Sequence, residues 1–344
     1  MIPETNEVVI MIQNAARSAV LAALLVVSFR AGDLPGSCAR EAPGKTKSPG
    51  IPVILDTDIG TDIDDTWALA LLLSLPELDL KLVVTDHGDT GARARVVAKF
   101  LQVSGRADVP IGIGMRGKAV PVPQEAWAGD YDLARYPGAV YQDGVAALID
   151  RIMKSPEKMT LIVLGPAPNI REALKRQPAI AGKARIFAMS GSVDMGYDGS
   201  PKPAAEYNVK EDPAATRAMY EAGWDVTIAP LDTAGTIRLE GSLYQQILKC
   251  EKPTVRALIE NYRVWAQHVD WTRTDPDRQS STLFDPLAVT LAGWPGFCVV
   301  EAVPLEVTDD GFTRRKPGAK QVQAALRWKD REGFANWLVS RLIK

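Results

Sequence analysis

Short apolar runs alternate with longer amphipathic stretches from Ile51 onward, and these stretches carry their apolar residues at helical spacing. This alternation is typical of a mostly parallel sheet whose strands are joined by crossover helices. It predicts strands at residues 53–58, 80–86, 110–114, 159–164, 184–189, 226–231 and 299–307. It predicts helices at residues 65–75, 92–104, 213–222 and 254–269. We therefore expect a single large α/β domain over residues 51–344, with an open, mostly parallel, Rossmann-like sheet flanked by helices.

The first fifty residues have a different pattern. Arg17 precedes an uncharged, largely apolar run at residues 18–29, which has the length of a signal-peptide core and is too short for a comfortable membrane span. We predict a signal peptide or N-terminal export segment at residues 1–39 and a flexible linker at residues 40–50. The mature chain is then expected in the periplasm or outside the cell, without a stable membrane span. Cys38 is a candidate site for a lipid anchor.

Composition narrows the classes of partner and chemistry. The 344 residues include 40 basic and 42 acidic side chains, for a net charge of −2, so the chain lacks the basic footprint of a nucleic-acid-binding protein. Three cysteines and two histidines imply no disulfide framework and offer little material for a zinc centre or a serine-histidine-aspartate triad. We therefore expect a small-molecule substrate and chemistry carried by carboxylates.

Five aspartates fall within ten residues at the end of the first predicted strand: Asp56, Asp58, Asp62, Asp64 and Asp65. Each carboxylate raises the cost of ionising its neighbours, so such crowding is disfavoured unless a cation or a proton-transfer task compensates for it. In parallel sheets, ligands bind beyond the carboxyl ends of the strands, which is where this cluster lies. A hard divalent cation is the first candidate ligand. A solvated loop with an aspartate helix cap is the simpler alternative.

The segment from Leu55 to Leu69 resembles the N-terminal aspartate cluster of the inosine-uridine preferring nucleoside hydrolases. Three later segments are similar to further elements of that family: residues 161–170, with a Gly-Pro turn and an Asn-Ile helix start, residues 203–208, Pro-Ala-Ala-Glu-Tyr-Asn, and residues 284–288, Phe-Asp-Pro-Leu-Ala. Together they cover roughly residues 51–307. The resemblance implies a fold of the nucleoside hydrolase type. It also implies hydrolysis of the N-glycosidic bond of a ribonucleoside or related N-riboside, giving free base and ribose.

The same resemblance implies a calcium site and its chemistry. Ca²⁺ would be held by Asp58, Asp65, the backbone carbonyl of Leu164 and the carboxylate of Asp285. This is an oxygen set that suits calcium. Asp64 would be the general base, taking a proton from metal-bound water as the water attacks the anomeric carbon.

The resemblance and the neighbouring sequence also suggest substrate contacts. Glu206 and Asn208 would hold ribose hydroxyls, and Asp89 falls near a family asparagine that contacts the sugar. Asp56 is expected to support the loop or a sugar hydroxyl, whereas Asp62 is left as a loop or cap residue. Contacts to the base are expected from the end of the last predicted helix and the residues just after it, although aromatic residues there also fit the apolar stripe of that helix. The candidates there are His268 and Trp271.

Two positions depart from the family pattern and keep other hypotheses open. Phe284 stands where many members have a histidine, so protonation of the leaving base is unassigned. Ser200 stands where an asparagine is usual, so that ribose contact is weakened or supplied differently. A non-catalytic nucleoside- or sugar-binding homologue is one alternative that follows from these departures. A haloacid-dehalogenase-like phosphatase is another, suggested by the strand and aspartates at residues 54–61. Family habit implies a homodimer or a homotetramer.

Overall fold

A ten-stranded sheet forms the centre of the protein. The computed structural model describes residues 50–272 and 274–344, so the predicted export segment and the predicted linker up to residue 49 lie outside the described residues. The strands are β1 (Ile51–Thr57), β2 (Leu78–Thr85), β3 (Ile111–Ile113), β4 (Val140–Tyr141), β5 (Met159–Val163), β6 (Ala184–Met189), β7 (Val226–Ala229), β8 (Cys298–Val307), β9 (Thr313–Arg315) and β10 (Gln321–Trp328).

The strand order is β4-β3-β2-β1-β5-β6-β7-β10-β8-β9. Strands β4 to β10 in this order are parallel, whereas β8 pairs antiparallel with β10, and β9 pairs antiparallel with β8. The chain runs outward from β1 to β2 on one side and later returns to place β5 on the other side. Ligands in open α/β sheets bind where the strand order reverses in this way, beyond the carboxyl ends of the strands. The topology therefore singles out the carboxyl ends of β1 and β5.

Helices pack on the sheet through two separate hydrophobic cores. They are α1 (Asp64–Leu73), α2 (Thr90–Val103), α3 (Glu125–Ala128), α4 (Gly144–Lys154), α5 (Pro168–Arg176), α6 (Tyr207–Glu211), α7 (Pro213–Glu221), α8 (Gly241–Leu248), α9 (Pro253–Ala266), α10 (Pro286–Leu291) and α11 (Arg331–Ile343). Val53 and Leu55 of β1 enter one core and Ile54 enters the other, because successive side chains of a strand point to opposite faces. The sheet is thus buried on both faces.

Helix α1 is buried along almost its whole length. Nine of its ten residues are buried, including Trp67 and the two aspartates at its start. A helix that is apolar on nearly all sides has to be surrounded by other elements. Helices α9, α10 and α11 pack around α1 together with the sheet. The first turn of α1 is therefore held firmly in place.

The predicted fold class is confirmed, since the described residues form one α/β domain with a mostly parallel sheet. All predicted strands are present with ends shifted by at most two residues, and all predicted helices are present with ends shifted by at most three. The sequence pattern did not indicate β10, which enters the sheet between β7 and β8 through pairing with distant segments. No helix in the described ranges is both long and apolar enough to cross a bilayer.

We expect Phe100→Ala to lower the free energy of unfolding by about 3–5 kcal/mol, because it removes a fully buried ring and leaves a cavity. Urea unfolding of the purified protein measures this loss. Val103→Ala is the matched control on the same helix, since Val103 is 44% exposed, and its cost should stay within about 0.5 kcal/mol. Equal costs for the two variants would contradict the assigned packing of α2.

Candidate active site

A cavity of about 660 Å³ opens at the carboxyl ends of β1, β5 and β6. It lies at the reversal of strand order, where the topology places a ligand site. Its acidic lining consists of Asp58, Asp62, Asp64, Asp65, Asp198, Glu206, Glu211, Asp270 and Asp285. Its aromatic lining consists of Tyr197, Tyr207, Trp265, Trp271 and Phe284. The cavity therefore combines a carboxylate-rich wall with aromatic faces.

Three carboxylates meet most closely in this wall. Asp64 and Asp65 occupy the first turn of α1, and Asp285 directly precedes Pro286 at the start of α10. One oxygen from each of the three lies within 4.8 Å of the others, and all three side chains are buried. Thr57 at the end of β1 donates a hydrogen bond to Asp65. The packing of α1 against α10 thus joins residues that are more than 200 positions apart in the sequence.

The donor chemistry of this group fits a hard cation. Burial raises the pKa of Asp64, Asp65 and Asp285 well above the usual range, and the charges of the neighbouring aspartates raise it further. Carboxylates in this situation are ionised together only when positive charge compensates them. The available ligand atoms are all oxygens, which calcium and magnesium prefer and zinc does not. The residues present therefore fit an oxygen-liganded divalent cation.

Two further predicted cation ligands lie in the same cavity. Asp58 follows β1 and lines the cavity, but it does not belong to the closest group of three, in which Asp64 takes its place beside Asp65 and Asp285. Burial raises the pKa of Asp58, while the positive charge of Arg93 opposes that shift. The backbone carbonyl of Leu164, just after β5, accepts a hydrogen bond of 2.6 Å from the Asn208 amide.

Glu206 and Asn208 are held in fixed positions on the cavity wall. Glu206 caps the N-terminus of α6 and accepts backbone N–H groups of Gly191, Asn208 and Val209 at 2.9, 2.7 and 3.3 Å. Burial raises its pKa to about 7, against the opposing effect of these hydrogen bonds. The Asn208 amide also donates to the Met189 carbonyl at 3.1 Å. Both side chains are thus pre-oriented by backbone at the ends of β5 and β6.

The structure places Asp56 and Asp89 outside the cavity lining, so their predicted substrate contacts need correction. Asp56 is buried beneath the site, where its carboxylate accepts a hydrogen bond of 2.8 Å from Asn169, and burial raises its pKa to about 6. This agrees with the supporting role considered for it. Asp89 caps α2 by accepting the backbone N–H groups of Gly91 and Ala92, and it is not among the residues that line the cavity.

Of the two candidates for contacts to the base, Trp271 lines the cavity and His268 does not. Trp271 lines the cavity, is 53% exposed and meets the buried Trp265 edge to face at 6.1 Å between ring centroids. His268 does not line the cavity. It is exposed just beyond the end of α9, and its Nδ1 lies 2.8 Å from the carbonyl oxygen of Val264. The turn at the end of α9 therefore leaves His268 outside the cavity lining, whereas Trp271 is part of it.

The positions that depart from the family pattern also differ in location. Phe284 lines the cavity and packs edge to face against Tyr197, with ring centroids 6.1 Å apart. Ser200 is exposed and outside the lining, at the end of a short 3₁₀ helix, Tyr197–Gly199. Tyr197 instead reaches the cavity, and its phenol oxygen accepts the backbone N–H of Tyr207 at 2.8 Å.

Sequence reasoning missed several residues of the site. Asp62, interpreted as a loop or cap residue, lines the cavity, and burial raises its pKa to about 6. Its place in the aspartate cluster was a usable signal. Tyr197 and Tyr207 carried little signal, because isolated tyrosines are common in loops. Arg93 had none, since it lies within an ordinary amphipathic helix and reaches the aspartate loop only through tertiary folding.

Comparison with known proteins identifies relatives of similar length. The chain is 31% identical over 312 residues to the non-specific ribonucleoside hydrolase RihC of Escherichia fergusonii, which covers 86% of this chain and 99% of the relative. It is 28% identical over 314 residues to the pyrimidine-specific ribonucleoside hydrolase RihA of Salmonella arizonae, which covers 85% of this chain and 98% of the relative.

Solved structures show the same fold. The plant nucleoside hydrolase PpNRh1 superposes with a TM-score of 0.74 at 22% identity, covering 86% of this chain and 99% of the plant chain. The purine-preferring ribonucleoside hydrolase from Gardnerella vaginalis superposes with a TM-score of 0.69 at 22% identity, covering 85% and 98%. The family model of the inosine-uridine preferring nucleoside hydrolases matches residues 53–335. This chain therefore belongs to the inosine-uridine preferring nucleoside hydrolase family and is a hydrolase that acts on N-glycosyl compounds.

Proposed function

We propose that this protein is a calcium-dependent hydrolase of the N-glycosidic bond of ribonucleosides, releasing free base and ribose. One observation carries the proposal. The buried carboxylates of Asp64, Asp65 and Asp285 meet in a cavity that also presents the polar side chains of Glu206 and Asn208. A polyhydroxylated ligand that develops positive charge suits this combination of acidic and hydrogen-bonding groups.

We assign the cation to Asp58, Asp65, Asp285 and the Leu164 carbonyl. Their oxygens match the ligand preference of calcium, whose coordination is flexible enough to accept sugar hydroxyls as well. When bound, calcium would lower the pKa of water and hold the ribose diol. Asp65 and Asp285 are the ligands most strongly supported, because their oxygens already lie within 4.8 Å of each other.

Asp64 is the proposed general base. The proximity of its oxygen to those of Asp65 and Asp285, within 4.8 Å, supports this role, because a water molecule bound to the cation would lie within reach of Asp64. A carboxylate whose pKa is raised by burial is a stronger base than a solvated aspartate. One proton of the water passes to Asp64 as the new C–O bond forms. The electron pair of the C–N bond leaves with the base, which takes a proton from solvent to become the free base.

Other residues of the cavity lining have three further proposed roles: stabilising charge, orienting the sugar and stacking on the base. As the C–N bond breaks, positive charge grows on the sugar ring, and the surrounding carboxylates stabilise it electrostatically. Glu206 and Asn208 orient sugar hydroxyls from rigid positions on α6. Trp271 and Tyr207 provide aromatic faces on which a planar base can stack. The arrangement offers no comparable support for a phosphatase, because Arg238 is the one basic side chain in the cavity lining of the described residues.

A panel of purine and pyrimidine ribonucleosides tests the proposed reaction. With calcium and without added phosphate, we expect equal amounts of free base and reducing sugar, measured by chromatography and a reducing-sugar assay. Nitrophenyl phosphate serves as the competing substrate. Release of phosphate from it, with no base released from any nucleoside, would contradict the proposal. Tight nucleoside binding by calorimetry without products would point to a non-catalytic homologue instead.

We expect Asp64→Asn to lower kcat by about 10²–10⁴-fold, because the amide cannot accept the proton of the attacking water. The variant should stay folded, since replacing one buried like charge with a neutral group relieves repulsion around α1. Steady-state kinetics and thermal unfolding measure the two effects. Asp150→Asn, the same change on an exposed carboxylate of α4, is the control and should leave kcat unchanged. Full turnover in Asp64→Asn would rule out this residue as the base.

Removal of the cation should abolish turnover. Dialysis against a calcium chelator is expected to leave an inactive, folded protein, and added Ca²⁺ should restore the rate. Mg²⁺ should restore a smaller part of the turnover rate than Ca²⁺ does, because Mg²⁺ demands a stricter octahedral geometry. We expect Asp285→Asn to raise the half-saturating calcium concentration by on the order of 10–100-fold, because the ligand set loses a charge. An undiminished rate after exhaustive chelation would refute the metal requirement.

A further inference from the structure

Arg93 has an unusual environment for a basic side chain. It is fully buried, and it is the one lysine or arginine in the described ranges with a buried side chain. It lies on α2, outside the lining of the cavity, so it does not reach the substrate. An arginine without water around it needs hydrogen-bond acceptors for its N–H groups and compensating charge nearby.

The guanidinium donates to backbone and hydroxyl oxygens in two loops, the one that follows β1 and the one that follows β2. Arg93 Nη1 donates to the carbonyl of Asp58 and, at 2.9 Å, to the carbonyl of Ile59. Its Nη2 donates to the Thr61 hydroxyl at 2.8 Å, and its Nε donates to the carbonyl of His87 at 2.7 Å. The guanidinium therefore joins the loop after β1 to the loop after β2.

The local backbone is shaped around this guanidinium. Gly60 has φ +119°, and a Cβ there would lie 3.4 Å from Arg93 Nη1 and only 2.6 Å from Val122. Gly88 has φ +65°, and a Cβ there would lie 3.3 Å from Arg93 Nη2. His87 itself has φ 55°, which is rare for a residue with a side chain and persists only where its surroundings fix it. The two loops that Arg93 joins thus contain three positions with positive φ, and at the two glycines a Cβ would also approach Val122 and Val120, at 2.6 and 2.7 Å.

The compensating charge comes from the acidic cluster across the loop. The positive charge of Arg93 acts to lower the pKa of Asp58 and of Asp65, against the dominant effect of burial. All four hydrogen bonds of Arg93, however, go to neutral oxygens rather than to a carboxylate. The guanidinium therefore leaves the carboxylate oxygens free for other ligands while it holds the backbone that carries them.

We propose that Arg93 is a positioning residue for the cation site, which fixes the backbone of residues 58–61 so that Asp58 and Asp65 present their carboxylates together. This inference rests on the proposed calcium site. The planar fork of arginine reaches several separate acceptors at once, whereas a lysine ammonium keeps the charge but loses that geometry. Arg93→Lys thus separates the positioning role from the electrostatic one.

Calcium affinity of the intact, metal-free protein tests the proposal directly, with Ca²⁺ alone as the ligand in a calorimetric titration. We expect Arg93→Lys to weaken calcium binding by about 10–100-fold, the range typical for residues that orient metal ligands. Raised calcium should recover much of the lost kcat. Arg95→Lys is the matched control, since Arg95 lies on the same helix and pairs with Glu125 instead of the loop. Its calcium affinity should equal that of the unaltered protein.

Thermal unfolding without calcium separates positioning from a merely structural role. A structural role lowers the unfolding temperature but leaves the calcium affinity of the folded protein unchanged, and that result would overturn the proposal. If Arg93→Lys does not fold, Thr61→Val removes the acceptor of Nη2, together with a long, exposed hydrogen bond of 3.3 Å to the Pro121 carbonyl, and should weaken calcium binding about fivefold, as expected for one hydrogen bond. An unchanged affinity in Thr61→Val would then overturn the proposal. Absence of calcium binding by the unaltered protein would refute the cation site itself.

Discussion

Repulsion among buried carboxylates is the constraint on which the rest of this site depends. Asp64, Asp65 and Asp285 bring oxygens within 4.8 Å of one another, and because all three side chains are buried, little solvent is available to screen them. Desolvation and mutual repulsion both oppose ionisation, so positive charge has to be brought close. The fold supplies some of it through Arg93 and through the N-terminal end of α1, where helix amides carry partial positive charge. The remaining deficit is what makes a bound cation favourable.

The polar side chains of the cavity are held rigidly by the elements around them. The carboxylates do not lie on flexible loops, since Asp64 and Asp65 begin a helix that is buried on nearly all sides. Glu206 is fixed by three backbone N–H groups, and Asn208 is fixed by two backbone carbonyls. Ligand groups held this way need little reorganisation when charge develops in a transition state, which is the main source of electrostatic catalysis.

Part of the cavity lining is aromatic and more exposed to solvent than the carboxylates. This part includes Trp271 in an exposed segment beyond α9, and Phe284 packed against Tyr197. Side chains on such surface segments vary without disturbing the core, whereas the aspartates cannot. In the proposed function, the buried carboxylates act on the glycosidic bond, and the more exposed aromatic residues contact the base.

The apolar pattern alone determined the fold class and most strand positions, because burial on both faces of a parallel sheet imposes short continuous apolar runs. The aspartate cluster likewise indicated a charged site, since ionising several neighbouring carboxylates costs free energy in any fold. Sequence resemblance then added Asp285, Glu206 and Asn208, all of which line the cavity.

Only the tertiary structure decided which polar residues face the cavity. Asp89 and His268 are indistinguishable in sequence from residues that contact a ligand, yet one caps α2 and the other turns outward after α9. Arg93 shows the reverse case, in which an unremarkable position acquires its role through contacts made by the fold. Asp62, interpreted from the sequence as a loop or cap residue, also lines the cavity. A side chain's direction depends on the packing of distant elements, and local sequence does not encode that packing.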